Sequence, residues 1–445
     1  MRRGELEREL AEFALETSWS DLGPGQRRFA EVLLLDAIAC GATGATAAAQ
    51  PAMDGVARAL GGEGEYTVIG GQPAGLGAAV MLNAWQVTAT TMCDVYRERM
   101  CHVTPVVVPP LLAGLQRRPA TREEALTTLL VAVEVTMRLC RAMEPALFQG
   151  ARWHAPGVIG PYGATTAFGR LSGLDAERLR EAWGAAGLQS AGTFAAIGSP
   201  GVKTTQARGA WAGVAATLLA EQGQGGRTDH LTHPHGGLFD AYGGAEPESV
   251  TDRLGDSWIA DELSMRRWPA SSSLQSVVEA AMQLRERESA FPDRLEVALP
   301  PRSFQLGALP GWADQLEALQ SARWIAGVVW VDGDCWLDQL TAARLVDQEL
   351  GARIRDRVHV VEDGSLPDGG ARLVAVVEGR TIQSDVPVPL GWPARRLGEA
   401  EIGTKLASAT GAELAGSIAD LVLGRAPWSV DELLRLLGNA RWESQ

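Results

Sequence analysis

The sequence predicts a mainly α protein, with a large all-helical domain over residues 1–258 and 398–445 and a smaller α/β (α+β) domain over residues 259–397. Three observations carry this. Apolar residues recur at helical spacing through most of the first 255 residues, punctuated by Gly and Pro. From about residue 262 the pattern changes to short β-branched runs that alternate with helical stretches. From about 400 to 440 helical periodicity returns, so the tail is expected to pack back on the first domain.

Taken in order, helical spacing covers residues 4–18, 26–42, 124–146, 158–172, 175–189 and 207–222. Glu65-Tyr-Thr-Val-Ile-Gly70 reads as a short extended piece ahead of a small-residue helix from Ala74 to Val87. In the second part, Leu295–Pro300, Arg357–Glu362 and Arg372–Glu378 read as strands, and 272–287 and 335–350 as helices. There are no internal repeats and no low-complexity segments.

Composition excludes several classes. A chain of 445 residues is long enough for two domains with a core of ordinary size. Its 46% hydrophobic and 21% charged content is that of a globular protein. The net charge of −14, with Lys and Arg scattered, argues against nucleic acid and against an anionic membrane surface as partners. Met1–Leu10 has no apolar core, and the most apolar stretch, Val32 to Ala49, is broken by Asp36 and several Gly. A cytoplasmic protein without signal peptide or membrane span is expected. Cys40, Cys93, Cys101, Cys140 and Cys335 are odd in number and lack C-x-x-C spacing, which predicts buried thiols.

The most informative segments are three polar loops that each feed an apolar helix. His154 lies in Ala151-Arg-Trp-His-Ala-Pro-Gly157, His102 in Cys101-His-Val-Thr104-Pro105, and Lys203 in Val202-Lys-Thr-Thr205-Gln206. Helices so poor in charge must pack on other helices. The groups at their N-terminal ends are therefore expected to meet in a partly dry pocket whose dipoles favour anions.

These segments, with Leu34-Leu-Asp36-Ala-Ile-Ala-Cys-Gly41, Thr67-Val-Ile-Gly-Gly71, Ala78–Asn83 and Gly169-Arg-Leu-Ser-Gly-Leu-Asp175, stand in an order that resembles the MmgE/PrpD family. That family includes 2-methylcitrate dehydratase, cis-aconitate decarboxylase and iminodisuccinate epimerase. The resemblance covers nearly the whole chain. It implies an all-helical domain, a smaller α/β lid domain, a pocket between them, a homodimer, and chemistry that needs no cofactor and no metal.

The departures from the family pattern are as informative as the matches. Where family members carry Asp-x-Asp-Asp-Thr, this chain reads Met92-Cys93-Asp94-Val95-Tyr96, so the middle acid alone remains. The family's His three residues after the lysine becomes Gln206, its Lys-x-aromatic-Pro becomes Arg266-Arg267-Trp268-Pro269, and its later His and Asp become Gln275 and Glu279. The resemblance implies His102 and His154 as proton carriers, Lys203 with Arg266 or Arg267 as carboxylate-binding cations, and Asp94 as the group that orients or charge-balances one imidazole. Tyr96, Thr104, Trp153, Trp268, Ser271 and Gln275 complete the expected substrate contacts. Each has a plainer alternative: capping residues for the two His, a solvated Lys203, and an N-cap cluster for Ser271-Ser-Ser273. Asp229-His230-Leu-Thr-His233-Pro-His235 reads as a surface turn rather than a metal cluster.

Two enzyme classes follow. One is a dehydratase, decarboxylase or epimerase acting on a small carboxylate through proton abstraction and an enolate-like intermediate. The other is an isomerase or cyclase acting on a bulkier secondary metabolite, which the lost acids and the tryptophans beside the site would suit. A non-catalytic dimeric binding protein is the third reading.

Overall fold

The computed structural model describes residues 4–144, 152–196, 198–199, 201–244 and 246–441. Two compact units divide the chain, one drawn from Met1–Leu263 with Gly398–Glu443 and the other from Ser264–Leu397.

The first unit is helical. Its centre is made by Pro24–Gly44, Leu76–Ala89, Thr104–Arg117, Gly160–Leu171 and Val202–Glu221, most of whose side chains are buried. The Gly160 helix packs against both the Thr104 and the Val202 helices, and the Leu76 helix packs against the Pro24, Thr104 and Val202 helices. Small residues set these approaches: a Cβ at Gly213 would lie 2.3 Å from the Ala164 Cβ, and one at Gly163 would lie 1.9 Å from the Thr136 Oγ1. Within Arg122–Arg141, capped by Thr121, a buried Glu134–Arg138 pair ties down the segment that leaves this unit. Arg138 donates to the carbonyls of Val250, Asp252 and Ser257, and Glu134 accepts from the amides of Ile259 and Ala260. In the tail, Glu399–Thr410 packs on Pro24–Gly44.

The second unit holds a four-stranded mixed sheet in the order β2-β1-β3-β4. β1 (Arg294–Leu299) runs parallel to β2 (Val358–Glu362) and antiparallel to β3 (Ala371–Val377), which pairs antiparallel with β4 (Arg380–Val386). The parallel pair needs a long crossover, which residues 300–357 supply. Glu378 and Gly379, both at positive φ, make the tight turn between β3 and β4. Helices Gln275–Arg287 and Ala322–Asp332 cover the sheet.

The fold is mainly α with a small α/β part, as the sequence predicts. Several elements differ in detail. β4 escapes a hydrophobic reading because Arg380, Thr381, Gln383 and Asp385 populate an edge strand, where charge protects against stray pairing. The helix expected over 335–350 is broken into short turns by Thr341 and Asp347, each of which caps the next turn with its side chain. The extended piece at 65–70 is reduced to one bridge between Tyr66 and Ala74. Gln50–Gly61 forms a helix that the periodicity did not mark. Among the described residues no helix is long and apolar enough to cross a membrane.

Candidate active site

The loop before the Thr104 helix is organised around Asp94. Its buried carboxylate accepts from the amides of Val103 at 2.8 Å and Thr104 at 3.0 Å, and from the Thr104 hydroxyl. It thereby caps the helix, where an anion also meets the favourable end of the dipole. Burial pushes its pKa up to about 6. The Asp94 main-chain carbonyl lies 2.7 Å from His102 Nδ1. A carbonyl can only accept, so Nδ1 carries the proton and Nε2 is the basic nitrogen of the neutral ring. The division of labour differs from the sequence expectation: the carboxylate holds the helix and the carbonyl orients the imidazole. Reciprocal backbone bonds between Tyr96 and Cys101 close the loop, with Met100 at φ 50°.

His154 stands at the N-cap position of the short helix Ala155–Val158, with its amide donating to the Gly192 carbonyl at 3.0 Å. The residue is 3% exposed. Nδ1 lies 2.6 Å from Thr205 Oγ1, which is itself 2.7 Å from the Val202 carbonyl. With the hydroxyl proton on that carbonyl, His154 Nδ1–H donates to Thr205 and Nε2 is the basic nitrogen. Among the described residues His154 Nε2 makes no hydrogen bond. The Gln206 amide is satisfied when its nitrogen faces the Val202 and Lys203 carbonyls and Thr205 Oγ1, at 2.7, 3.2 and 2.9 Å. Burial presses the His154 pKa down to about 3, and the charges of His102 and Lys203 act in the same direction.

Lys203 occupies the first turn of the Val202 helix and donates to Thr91 Oγ1 at 3.0 Å. Thr91 has φ 56°, a left-handed conformation that a β-branched residue disfavours. His102, His154 and Lys203 therefore stand near one another within the helical unit, close enough for Lys203, and for His102 when it is protonated, to bear on His154.

The other expected residues have identifiable tasks. The Thr104 hydroxyl is held by Asp94. Tyr96 is buried with its hydroxyl 3.3 Å from Glu98 Oε2 and beside Arg141, and burial raises its pKa well above the usual phenol range. Trp153 meets Tyr242 edge-on with ring centroids 5.1 Å apart. In the second unit, the Arg267 guanidinium lies 5.9 Å from the Trp268 ring and 5.7 Å from the Trp336 ring. The Gln275 side chain accepts from the amides of Arg267 and Trp268 and donates to the carbonyls of Trp268 and Ala270, which locks the turn that begins at Arg266. Ser271 accepts from the Ser273 amide as an N-cap. Glu279 pairs with Arg395. Of the histidine-rich turn, His230 stacks on Tyr162, while His233 and His235 meet edge-on.

Sequence reasoning missed a buried cluster beneath the His102 loop. Lys405 Nζ lies 2.5 Å from Asp36 Oδ1, 3.4 Å from Cys40 Sγ and 3.1 Å from the Met92 carbonyl. Both charged side chains are fully buried. The signal was Asp36 itself, an acid inside the most apolar run of the chain, which demands a buried counter-charge.

Comparison with known proteins gives two family matches, the MmgE/PrpD N-terminal domain over residues 8–250 and the MmgE/PrpD C-terminal domain over residues 268–419. A cis-aconitate decarboxylase-like protein of Aspergillus oryzae is 27% identical over 427 residues, covering 87% of each chain. A cis-aconitate decarboxylase of Aspergillus terreus is 25% identical over 452 residues, covering 94% of this chain and 92% of the relative. A second Aspergillus terreus sequence with that name is 24% identical, covering 86% of this chain and 85% of its own.

Proposed function

The chain belongs to the MmgE/PrpD family, and we propose that it is a cofactor-independent lyase that decarboxylates a small carboxylate, with His102 and His154 carrying protons and Lys203 holding a carboxylate. The observation that carries this reading is His154: a buried, neutral imidazole held through Nδ1 by Thr205, within electrostatic reach of Lys203 and His102. Relatives named as cis-aconitate decarboxylases support the choice of reaction.

In this reading Lys203 pairs with a substrate carboxylate, helped by the helix N-termini around it. Breaking the bond to the departing carboxylate leaves its electron pair on carbon, where conjugation with the rest of the substrate delocalises it. Binding of the substrate carboxylate offsets the charges that oppose protonation and lets an imidazole take a proton from solvent on Nε2; carbon dioxide departs, that proton closes the carbanion, and the ring is left neutral. Each well-placed proton carrier is worth roughly 10²–10⁴-fold in rate. Water elimination or epimerisation would use the same nitrogens to take a carbon-bound proton first. An isomerase or cyclase working on a bulkier secondary metabolite is the second reading, which the Trp153–Tyr242 aromatic pair, whose Trp153 immediately precedes His154 in the chain, would suit.

The test is a proton-NMR time course in deuterated buffer with a panel of unsaturated and hydroxy di- and tricarboxylates. Decarboxylation predicts a product that carries one solvent deuterium on carbon, absent with His154→Ala or His102→Ala. Full turnover by both variants, folded as the parent, would sink the proposal. A homodimer belongs to the same reading, supported by the exposed Leu60 and Trp211 side chains, and light scattering of the purified protein tests it.

A further inference from the structure

We propose that the buried Lys405–Asp36 pair is a positioning device for His102: it is replaceable as far as the fold is concerned but sets the loop that fixes the His102 tautomer. The functional importance of that tautomer rests on His102 being a proton carrier, as read above.

The argument starts from cost. Two ions taken wholly out of water lose hydration that their mutual attraction barely returns, so an apolar pair of similar volume commonly gives an equally stable protein. A pair at full burial, as here, calls for a task that hydrocarbon side chains lack. Lys405 has three N–H donors, and they meet Asp36, Cys40 and the Met92 carbonyl. The first two partners lie on the Pro24 helix, where side chains already pack. The third is main chain of the His102 loop, two residues before Asp94.

From Met92 the coupling is short. Asp94 receives His102 Nδ1–H on its carbonyl at 2.7 Å and caps the Thr104 helix with its carboxylate. Thr91, just before Met92, sits at φ 56°, a conformation that persists only where the surroundings over-determine it. The Cys93 thiol lies 3.8 Å from His102 Nδ1, an alternative partner if the carbonyl moves away. A sulfur can donate as well as accept, so that partner would release the ring from its single tautomer. The ammonium thus holds the carbonyl of residue 92, the loop keeps the carbonyl of residue 94 on Nδ1, and Nε2 stays the basic nitrogen.

Two double variants test this on the full-length protein, both with Asp36→Asn so that no lone charge is buried. Lys405→Gln keeps an N–H donor for the Met92 carbonyl, and Lys405→Met removes it. The readout is nitrogen-15 NMR of selectively labelled histidines, with His102 assigned by its loss in His102→Gln. The expected result is a parent-like Nδ1–H signature in the Gln variant and a tautomeric mixture in the Met variant. Turnover should fall towards 100-fold in the Met variant, with KM little changed, and recover in the Gln variant. Identical His102 signals in both variants overturn the proposal. So does a Met variant that fails to fold, because the pair would then be holding the fold. His102→Gln also reports on the underlying reading: full turnover there removes the catalytic role of His102, while the tautomer comparison still decides what Lys405 does.

Discussion

Acidification should strip stability from the helical unit through His154, by an amount the structure allows to be worked out. His154 is 3% exposed, and burial, with the charges of His102 and Lys203 acting the same way, presses its pKa from 6.5 to about 3. In the unfolded chain it titrates near 6.5, so below that pH the unfolded state binds the extra proton. The contribution of neutral His154 is therefore complete above pH 6.5 and is lost as the pH falls towards 3. At about 1.4 kcal/mol for each pH unit, the whole effect is on the order of 5 kcal/mol, a large share of the roughly 5–15 kcal/mol that holds a domain together. Asp94 works the other way. Its pKa is raised from 3.8 to about 6, so what it contributes is present below pH 3.8 and lost as the pH rises through 6, on the order of 3 kcal/mol. The two oppose each other in the parent, and a His154→Gln variant separates them. Urea unfolding of both proteins at pH 7, 6, 5 and 4, followed by a probe in the helical unit, should show the stability gap shifting by roughly 1 kcal/mol per pH unit below 6, in favour of the variant. A gap that stays constant with pH would refute the neutral, buried imidazole and the proton-carrying role built on it.

Three further outcomes are expected. Binding of a carboxylate should draw a proton onto His154, because the anion offsets the Lys203 and His102 charges that now oppose protonation; calorimetry in buffers of different ionisation enthalpy at pH 7 reads that uptake, which should vanish in His154→Gln. Asp94→Ala should cost about 1–2 kcal/mol in thermal unfolding through the lost helix cap, while His102 keeps its carbonyl partner and its Nδ1–H signature in nitrogen-15 NMR. Thr91→Gly should relieve the left-handed backbone and leave stability unchanged or up to about 1 kcal/mol higher, yet raise KM by freeing Lys203 from its hydroxyl partner.

Periodicity carried the helical unit because its helices are long and their apolar positions recur over several turns. It missed β4 and the broken 335–350 stretch, where short polar elements are decided by pairing partners and by caps such as Asp347 rather than by pattern. For the site, residue type and the ordered motifs drew attention to His102, His154 and Lys203. The partners that fix their protons lay beyond reach: the Asp94 carbonyl is main chain and has no residue signature, and Thr205 acts through a helical back-bond to Val202. Lys405 is separated from Asp36 by 369 residues, and nothing local links them.

That separation has a consequence for synthesis. Asp36 leaves the ribosome early, and the helix that brings Lys405 follows only after the whole of the second unit has been made. At about 5–20 residues per second the delay is roughly 20–70 seconds. During it the Pro24 helix holds an acid with no counter-ion, so it must keep that acid wet or protonated, and the loop that carries His102 has no ammonium to rest on. A nascent chain of this protein is thus kept from completing its proton-transfer apparatus until the Glu399 helix emerges, which makes that helix the step that arms the site rather than the one that builds the fold.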